Sequence, residues 1–219
     1  MKLLLSGSIL FCHCLLASGQ LHFLKGSYYD LKGNKTEGFI AIAHSAYVSY
    51  LPLEPKDDAN SFIYFKKDSL QSETRIKGWK LKAFTHGTDS FAVLRNFQII
   101  GVNHMLKVPI GFCRVLIGNG KVLLYTNSYS DFSFGEAHNP NVHVAQIANI
   151  TESYLLQQKD SETVTAVKMG LDEFIEQMSY YFKISDEIVS RIKRKEYSYH
   201  TTEKLVHEFN AWYAKRQKE

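Results

Sequence analysis

The chain of 219 residues has little of several residue types on which common architectures depend. It contains only three cysteines, two of them within the first 14 residues, and only four prolines. So few cysteines exclude a disulfide-stapled framework, and a stable fold must therefore come from a hydrophobic core. A chain of this length can build one, because it buries roughly 70% of the surface that its unfolded form exposes.

Charge of one sign and recognisable catalytic motifs are also scarce. The formal net charge is +4, from 26 basic and 22 acidic residues, which is too small to indicate a nucleic-acid partner. The sequence has no GxSxG elbow, HExxH helix, phosphate-binding loop or dinucleotide-binding glycine pattern. We therefore predict no catalytic, metal-ligating or cofactor-binding residue, and an enzyme is the least favoured class of function.

An apolar run from Leu3 to Leu16 opens the chain behind a single cation, Lys2. The run is shorter than the ~18 residues that a membrane-spanning helix needs, and it matches the apolar region of a secretory signal peptide. Ala17 and Gly19 provide the small residues of a cleavage site. We predict that residues 1–19 are a signal peptide and that the mature protein is periplasmic, associated with the outer envelope, or secreted. The alternatives are an uncleaved anchor and a buried first helix.

The predicted signal peptide also determines which roles the three cysteines can have. Cys12 and Cys14 lie within the apolar leader and have no second pair of ligands elsewhere, so they form no closed zinc site. Cleavage would leave Cys113 alone, without an intrachain disulfide partner. Because Cys113 lies in the apolar run VPIGFCRVLIG, we expect it to be a small buried strand residue.

Residues 20–169 are predicted to form a mainly antiparallel β-rich domain, because short β-branched and aromatic runs alternate with turn residues. Hairpin turns are expected at Gly33-Asn34, His86–Asp89, Asn119-Gly120 and Lys159–Ser161. The Asn-Gly pair is the strongest of these signals, since both residues accept positive φ. SFIYFKKD supplies a further strand, and residues 52–60 a surface loop. A sandwich and an open barrel are both compatible with this pattern.

From residue 170 the spacing of apolar residues changes to three and four, which predicts a C-terminal helical segment over residues 170–219. Ser185 is expected to cap the second of three helices, and the third to begin near Thr201 or Thr202. Apolar stripes comprise Leu171, Phe174, Ile175, Met178 and Phe182, then Ile188, Val189 and Ile192, and finally Leu205, Val206, Phe209, Trp212 and Tyr213. Such stripes must be buried, so the chain is either one α+β unit or a sheet domain with a helical appendage.

The polar segment DFSFGEAHNPNVH is a candidate metal site. Asp131, Glu136, His138 and His143 gather around a glycine and a proline, but their spacing matches no standard zinc or calcium loop, so a solvated loop is favoured over a metal site.

The segment RIKRKEYSYH interleaves cations with aromatic residues, as single-stranded nucleic-acid sites do. Its cations Arg191, Lys193, Arg194 and Lys195 fall at a predicted helix end, where they complement the helix dipole. A solvated helix end is therefore favoured over nucleic-acid binding. If this segment binds an anionic partner, lipid headgroups or envelope polysaccharide are favoured over nucleic acid.

Several stretches carry a resemblance to a group of proteins. These are KGSYYDLKGNKTEGFIAI, FIYFKKD, IKGWKLKAFTHGTDSFAVLRNF and the closing YFKISDEIVSRIKRKEYSYHTTEKLVHEFNAWY. The chain resembles uncharacterised exported β-rich proteins common in Bacteroidetes-type bacteria, which run from a signal peptide through a glycine-centred hairpin to a helical tail. The resemblance implies an envelope or secreted location and a β-rich fold, and it implies no catalytic residue.

Two classes of function stay open. The first is a non-catalytic envelope module, structural or interacting with a protein or glycan, that binds through an aromatic-rich sheet face or through the helical tail. The second is a carrier of a small apolar ligand, which predicts a deep pocket lined by residues such as Phe91, Phe97 and Trp79. Neither requires a cofactor, nucleic acid or a transmembrane segment in the mature chain.

Overall fold

The computed structural model describes residues 21–42, 62–100, 105–130 and 150–218. Its strands are β1 (Leu24–Asp30), β2 (Lys35–Ile42), β3 (Phe62–Lys66), β4 (Thr74–Lys77), β5 (Leu81–His86), β6 (Asp89–Ile100), β7 (Met105–Ile117), β8 (Val122–Ser130), β9 (Ile150–Gln158) and β10 (Val164–Ala166). Its helices are α1 (Leu171–Tyr181), α2 (Asp186–Lys193) and α3 (Thr202–Arg216), and 3-10 turns lie at Gly78–Lys80 and Tyr199–Thr201. The predicted α+β class, an antiparallel sheet followed by helices, is confirmed.

The described strands form one antiparallel sheet in the order β10-β9-β8-β7-β6-β5-β1-β2-β3-β4. All the described strands belong to this one sheet, and the sheet is not closed. The four predicted hairpins are confirmed as β1–β2, β5–β6, β7–β8 and β9–β10. The predicted loop 52–60 lies outside the described residues.

The sheet buries a different core on each side. Successive strand residues point to opposite faces, and the neighbours Val93 and Leu94 on β6 belong to different cores. The N-terminal core comprises Ile40, Ile63, Phe65, Leu81, Phe84 and Val93. The C-terminal core comprises Leu94, Phe97, Ile99, Cys113, Tyr125, Leu155 and Ala166. The last five strands curl around the C-terminal core until β10 approaches β6.

A kink at Asn96 changes which side chains of the β6–β7 hairpin point to each of the two cores. Asn96 has φ of +51°, in the left-handed region that asparagine tolerates better than most residues. Across the hairpin stands Pro109, which has no N–H to donate to the sheet. Leu94 and Phe97 are three residues apart yet enter the same core. The kink therefore reverses the alternation of faces along β6.

The helices pack directly on the sheet, on the side of β8 and β9 opposite the C-terminal core. Leu124 faces the helices while its neighbour Tyr125 faces the C-terminal core. The helix core contains Ile117, Val122, Leu124, Leu156, Val167, Phe174, Met178, Phe182, Ile188, Ile192, Tyr197, Tyr199, Leu205, Val206 and Phe209. Ser185 caps α2 as predicted, since its Oγ accepts from the Ile188 amide at 3.3 Å.

The prediction for Leu171 is wrong. It was expected on the buried stripe of α1, but it is the first residue of the helix and is 44% exposed. A residue in the first turn can extend beyond the edge of the surface on which the rest of the helix packs. The start of α3 at Thr202 agrees with the prediction.

Asn210 of α3 joins the helices to the β7–β8 hairpin through hydrogen bonds. Its Nδ2 donates to the Val122 carbonyl at 2.8 Å, and its Oδ1 accepts from the Val122 amide at 2.9 Å. Gly120 in the turn has φ of +105°, and a Cβ there would lie 2.5 Å from Asn210 Cγ. Glycine is therefore needed both for the turn conformation and for the approach of the asparagine.

We expect Asn210→Ala to lower the free energy of unfolding by about 1–3 kcal/mol, because it leaves the half-buried Val122 amide and carbonyl without these partners. Urea unfolding followed by circular dichroism measures the change. Lys215→Ala, on the exposed surface of the same helix, is the matched control and should change stability by less than about 0.5 kcal/mol. Equal effects of the two substitutions would contradict a stabilising role for the hydrogen bonds between Asn210 and Val122.

Candidate cation–aromatic face and seam cleft

The outer side of strands β1 to β4 carries cations and aromatic rings in alternation. Phe39 on β2 lies between Lys25 on β1 and Lys66 on β3. On β3 and β4, Tyr64 pairs with Arg75 and Phe62 with Lys77. These positions alternate with residues of the N-terminal core and so point away from it. We call this surface the cation–aromatic face, defined by Phe23, Lys25, Phe39, Phe62, Tyr64, Lys66, Arg75, Lys77 and Trp79.

Three cations of this face lie over aromatic rings. The Lys66 Nζ is 4.4 Å from the ring centroid of Phe23, and the Arg75 Cζ is 3.5 Å from that of Phe62. The Lys77 Nζ is 4.3 Å from the ring of Trp79, which follows β4 in the 3-10 turn. A cation–π contact at an exposed site contributes about 0.5–1 kcal/mol. The rings therefore restrict where the charges lie, and the charges cover the rings.

Charge is distributed unevenly along the chain. The described residues between 21 and 130 include 13 Lys and Arg against 5 Asp and Glu, an excess of eight positive charges. The described residues from 150 to 218 contain 11 of each, with no excess. The excess positive charge of the described residues between 21 and 130 is therefore larger than the net charge of +4 of the whole chain.

The basic segment RIKRKEYSYH contains internal ion pairs, as expected for a helix end. Arg191 Nε lies 2.8 Å from Glu196, and Arg194 Nη2 lies 2.7 Å from the same carboxylate. Arg191 also contacts Glu208 of α3 at 2.5 Å, and the buried Tyr197 donates its hydroxyl proton to Glu208. These contacts tie α2 to α3, and they engage the two arginines within the helical segment.

Glu208 makes this connection sensitive to pH. The hydrogen bond from Tyr197 and the ion pair with Arg191 hold the pKa of Glu208 below its usual range. A carboxyl group with a lowered folded-state pKa stabilises the fold above its unfolded-state pKa. That stabilisation is lost as pH falls through the folded-state pKa.

We expect Glu208→Gln to destabilise the protein by up to about 1 kcal/mol at pH 7, the usual range for a solvent-accessible ion pair. The difference from the unsubstituted protein should shrink as pH falls below the pKa of Glu208, because the natural side chain then also becomes neutral. Urea unfolding at pH 7 and pH 3 measures both quantities. Glu176→Gln, on the exposed side of α1, is the control. A difference that is the same at both pH values would contradict the ion-pair explanation.

A cleft of about 690 Å³ lies where β10 approaches the kinked hairpin, and we call it the seam cleft. Its lining comprises Asn96, Phe97, Gln98, Ile100, Met105, Lys107, Val108, Pro109, Val164, Thr165, Ala166, Lys168 and Gln177. Of the three residues predicted to line a ligand cavity, it contains Phe97. Phe91 and Trp79 do not line this cleft, because Phe91 packs against the N-terminal core and Trp79 lies in the 3-10 turn, 37% exposed.

Cys113 is a buried strand residue, as predicted. Burial raises the pKa of its thiol to about 12, so the side chain stays protonated and poorly nucleophilic at neutral pH. Asp131, Glu136, His138 and His143 lie outside the described residues, and the loop hypothesis for them stays a prediction. Within the described ranges, no group of three ligating side chains could hold a metal ion. No helix in those ranges is long and apolar enough to cross a membrane.

Comparison with known proteins gives no relative: no protein-family model, no curated protein and no solved structure matches the chain. The cation–aromatic face and the seam cleft are therefore the features from which a function can be argued. The cation–aromatic face is not evident from the sequence alone, because pairing between strands creates it. The alternation of cations and rings within FIYFKK and TRIKGWK is the sequence feature that indicates it.

Proposed function

We propose that the protein is an exported, non-catalytic module that binds an acidic polysaccharide of the cell envelope through its cation–aromatic face. The observation that carries this proposal is the set of three cations, Lys66, Arg75 and Lys77, each placed over an aromatic ring. The described residues between 21 and 130, to which these cations belong, carry an excess of eight positive charges. Charge complementarity favours a partner with many negative groups.

The rings reduce the cost of binding. A free lysine or arginine side chain loses rotamer freedom when a partner immobilises it, and this opposes association. Arg75 over Phe62 has already lost part of that freedom, yet it remains exposed to a partner. Lys66 and Lys77 are half-buried, and the contacts with Phe23 and Trp79 hold their ammonium groups in place. Such preorganisation favours binding through fixed charges.

The same contacts favour a polysaccharide over nucleic acid. Single-stranded nucleic acid is held by bases stacked on free aromatic faces, whereas the rings of Phe23, Phe62 and Trp79 are covered by the chain's own cations. The predicted export also separates the protein from nucleic acid. Lys25, Lys66, Arg75 and Lys77 are distributed over strands β1, β3 and β4, so they offer several separate charges to a chain of repeated carboxylates.

The helical tail is a less suitable binding surface. Its apolar stripes pack on the sheet, with Phe174, Met178 and Phe209 each at most 2% exposed. Its charges balance, and Arg191 and Arg194 are engaged by acidic neighbours. We therefore place the binding surface on the sheet.

The proposal is tested by calorimetric titration of the purified protein with polygalacturonate, with neutral dextran as the comparison ligand. We expect binding of polygalacturonate that weakens with added salt, and no binding of dextran. The triple substitution Lys66→Gln, Arg75→Gln and Lys77→Gln should weaken binding about tenfold, if each contact contributes about 0.5 kcal/mol. The control carries Lys193→Gln, Lys195→Gln and Lys215→Gln and removes the same charge from exposed positions of the helical segment.

Equal weakening by the two triple variants would show that net charge alone attracts the polymer, and it would overturn the proposed site. Equal binding of dextran would also overturn it. Anionic lipid vesicles and a single-stranded oligonucleotide serve as competing partners. Tighter binding of either competitor through the same three cations would identify that competitor's class as the partner of the cation–aromatic face. The polysaccharide proposal would then fail.

A further inference from the structure

The seam cleft points to a second site, independent of the proposed polysaccharide binding. We propose that it binds a small amphipathic anion, in which a carboxylate is attached to an alkyl chain. The cleft volume of about 690 Å³ falls within the range of small-molecule sites. The two walls of the cleft, the sign of its charges and the contacts that hold it open support this assignment.

Both walls offer apolar surface to an alkyl chain. Phe97 and Val108 come from the β6–β7 hairpin, and Val164 and Ala166 come from β10. All four belong to the C-terminal core or pack against it. Phe97 and Ala166 are already buried, so the accessible apolar surface comes from the half-buried Val108 and Val164 and from Met105, which is 52% exposed. An alkyl chain between the walls would extend this core, with a gain of about 0.8 kcal/mol per buried methylene.

The charged residues of the cleft are of one sign. Lys107 lies on the hairpin wall and Lys168 follows β10, so the two lysines lie on opposite walls. Both are exposed, and none of the described residues that line the cleft is acidic. An anionic headgroup therefore fits the cleft, whereas a cationic headgroup of the same size would be repelled.

Local structure keeps the two walls apart. The kink at Asn96 and Pro109 bends the hairpin where β10 approaches it. Gln177 of α1 donates its Nε2 proton to the Ala166 carbonyl at 2.8 Å, and its Oε1 accepts from the Lys168 amide at 2.9 Å. These bonds hold the end of β10 against the helix, so the cleft exists before any ligand arrives.

The contacts of Gln177 also favour a small molecule over an added peptide strand. A peptide that extends a sheet must bond to unpaired backbone groups of its edge strand. Gln177 already occupies the Ala166 carbonyl and the Lys168 amide. A ligand that depends on apolar contact and charge does not need these groups.

Calorimetric titration with sodium dodecanoate below its micelle concentration tests the proposal, with dodecyltrimethylammonium as the cation of equal chain length. We expect one saturable site for dodecanoate and at least about tenfold weaker binding of the cation. Lys107→Gln combined with Lys168→Gln should weaken dodecanoate binding about tenfold. Met105→Glu places a carboxylate in the cleft at a 52% exposed position, where it need not disturb the fold, and should weaken binding at least as much.

Two matched controls should leave dodecanoate affinity unchanged. Leu70→Glu introduces the same charge at a 96% exposed site after β3, and Lys193→Gln with Lys195→Gln removes two distant cations. Unchanged circular dichroism establishes that each variant is folded. Equal affinity for the two surfactants, equal affinity of the Lys107 and Lys168 double variant, or many weak sites in place of one would each overturn the proposal. Polygalacturonate binding does not depend on these outcomes, so the two proposals can fail separately.

Discussion

Burial of the β6–β7 hairpin on both of its faces is the constraint on which the rest of the described structure depends. Antiparallel sheets commonly leave one face to solvent, but Val93 on β6 faces the N-terminal core while the adjacent Leu94 faces the C-terminal core. The strands before the hairpin pack on one side, and those after it curl to the other. The helices then cover the outer side of β8 and β9. This arrangement turns β1 to β4 outward as a charged surface and brings β10 back towards β6, which creates the seam cleft.

The two candidate sites use aromatic residues in opposite ways. On the cation–aromatic face, the rings of Phe23, Phe62 and Trp79 hold cations in place at the surface. In the seam cleft, Phe97 is part of the apolar lining, and Lys107 and Lys168 lie on the two opposite walls. The helical segment contributes to neither charge pattern, because its acidic and basic residues balance and Arg191 and Arg194 are ion-paired. Among the described residues, the excess of positive charge therefore lies in strands β1 to β8 and the turns that join them.

Local features of the fold could be predicted from the sequence, and features that depend on strand pairing could not. The turn at Asn119-Gly120 and the cap at Ser185 follow from the φ and hydrogen-bonding preferences of single residues, and both are confirmed. The alternation of Phe39 with Lys25 and Lys66 requires the register of three strands. Phe91 and Phe97 could not be assigned to different cores, because one residue with positive φ, Asn96, reverses the faces between them. The predicted signal peptide and export stay predictions.

The central claim is that one doubly buried hairpin joins both halves of the sheet into a single cooperative unit. Native-state hydrogen exchange, measured residue by residue at increasing denaturant concentration, tests it most directly. We expect the amides of β6 and β7 to exchange most slowly. We also expect protected amides of β2 and β3 and of β8 and β9 to exchange only through the same global unfolding. Separate exchange of the N-terminal strands through an opening of lower free energy, with β6 to β9 still protected, would contradict the claim.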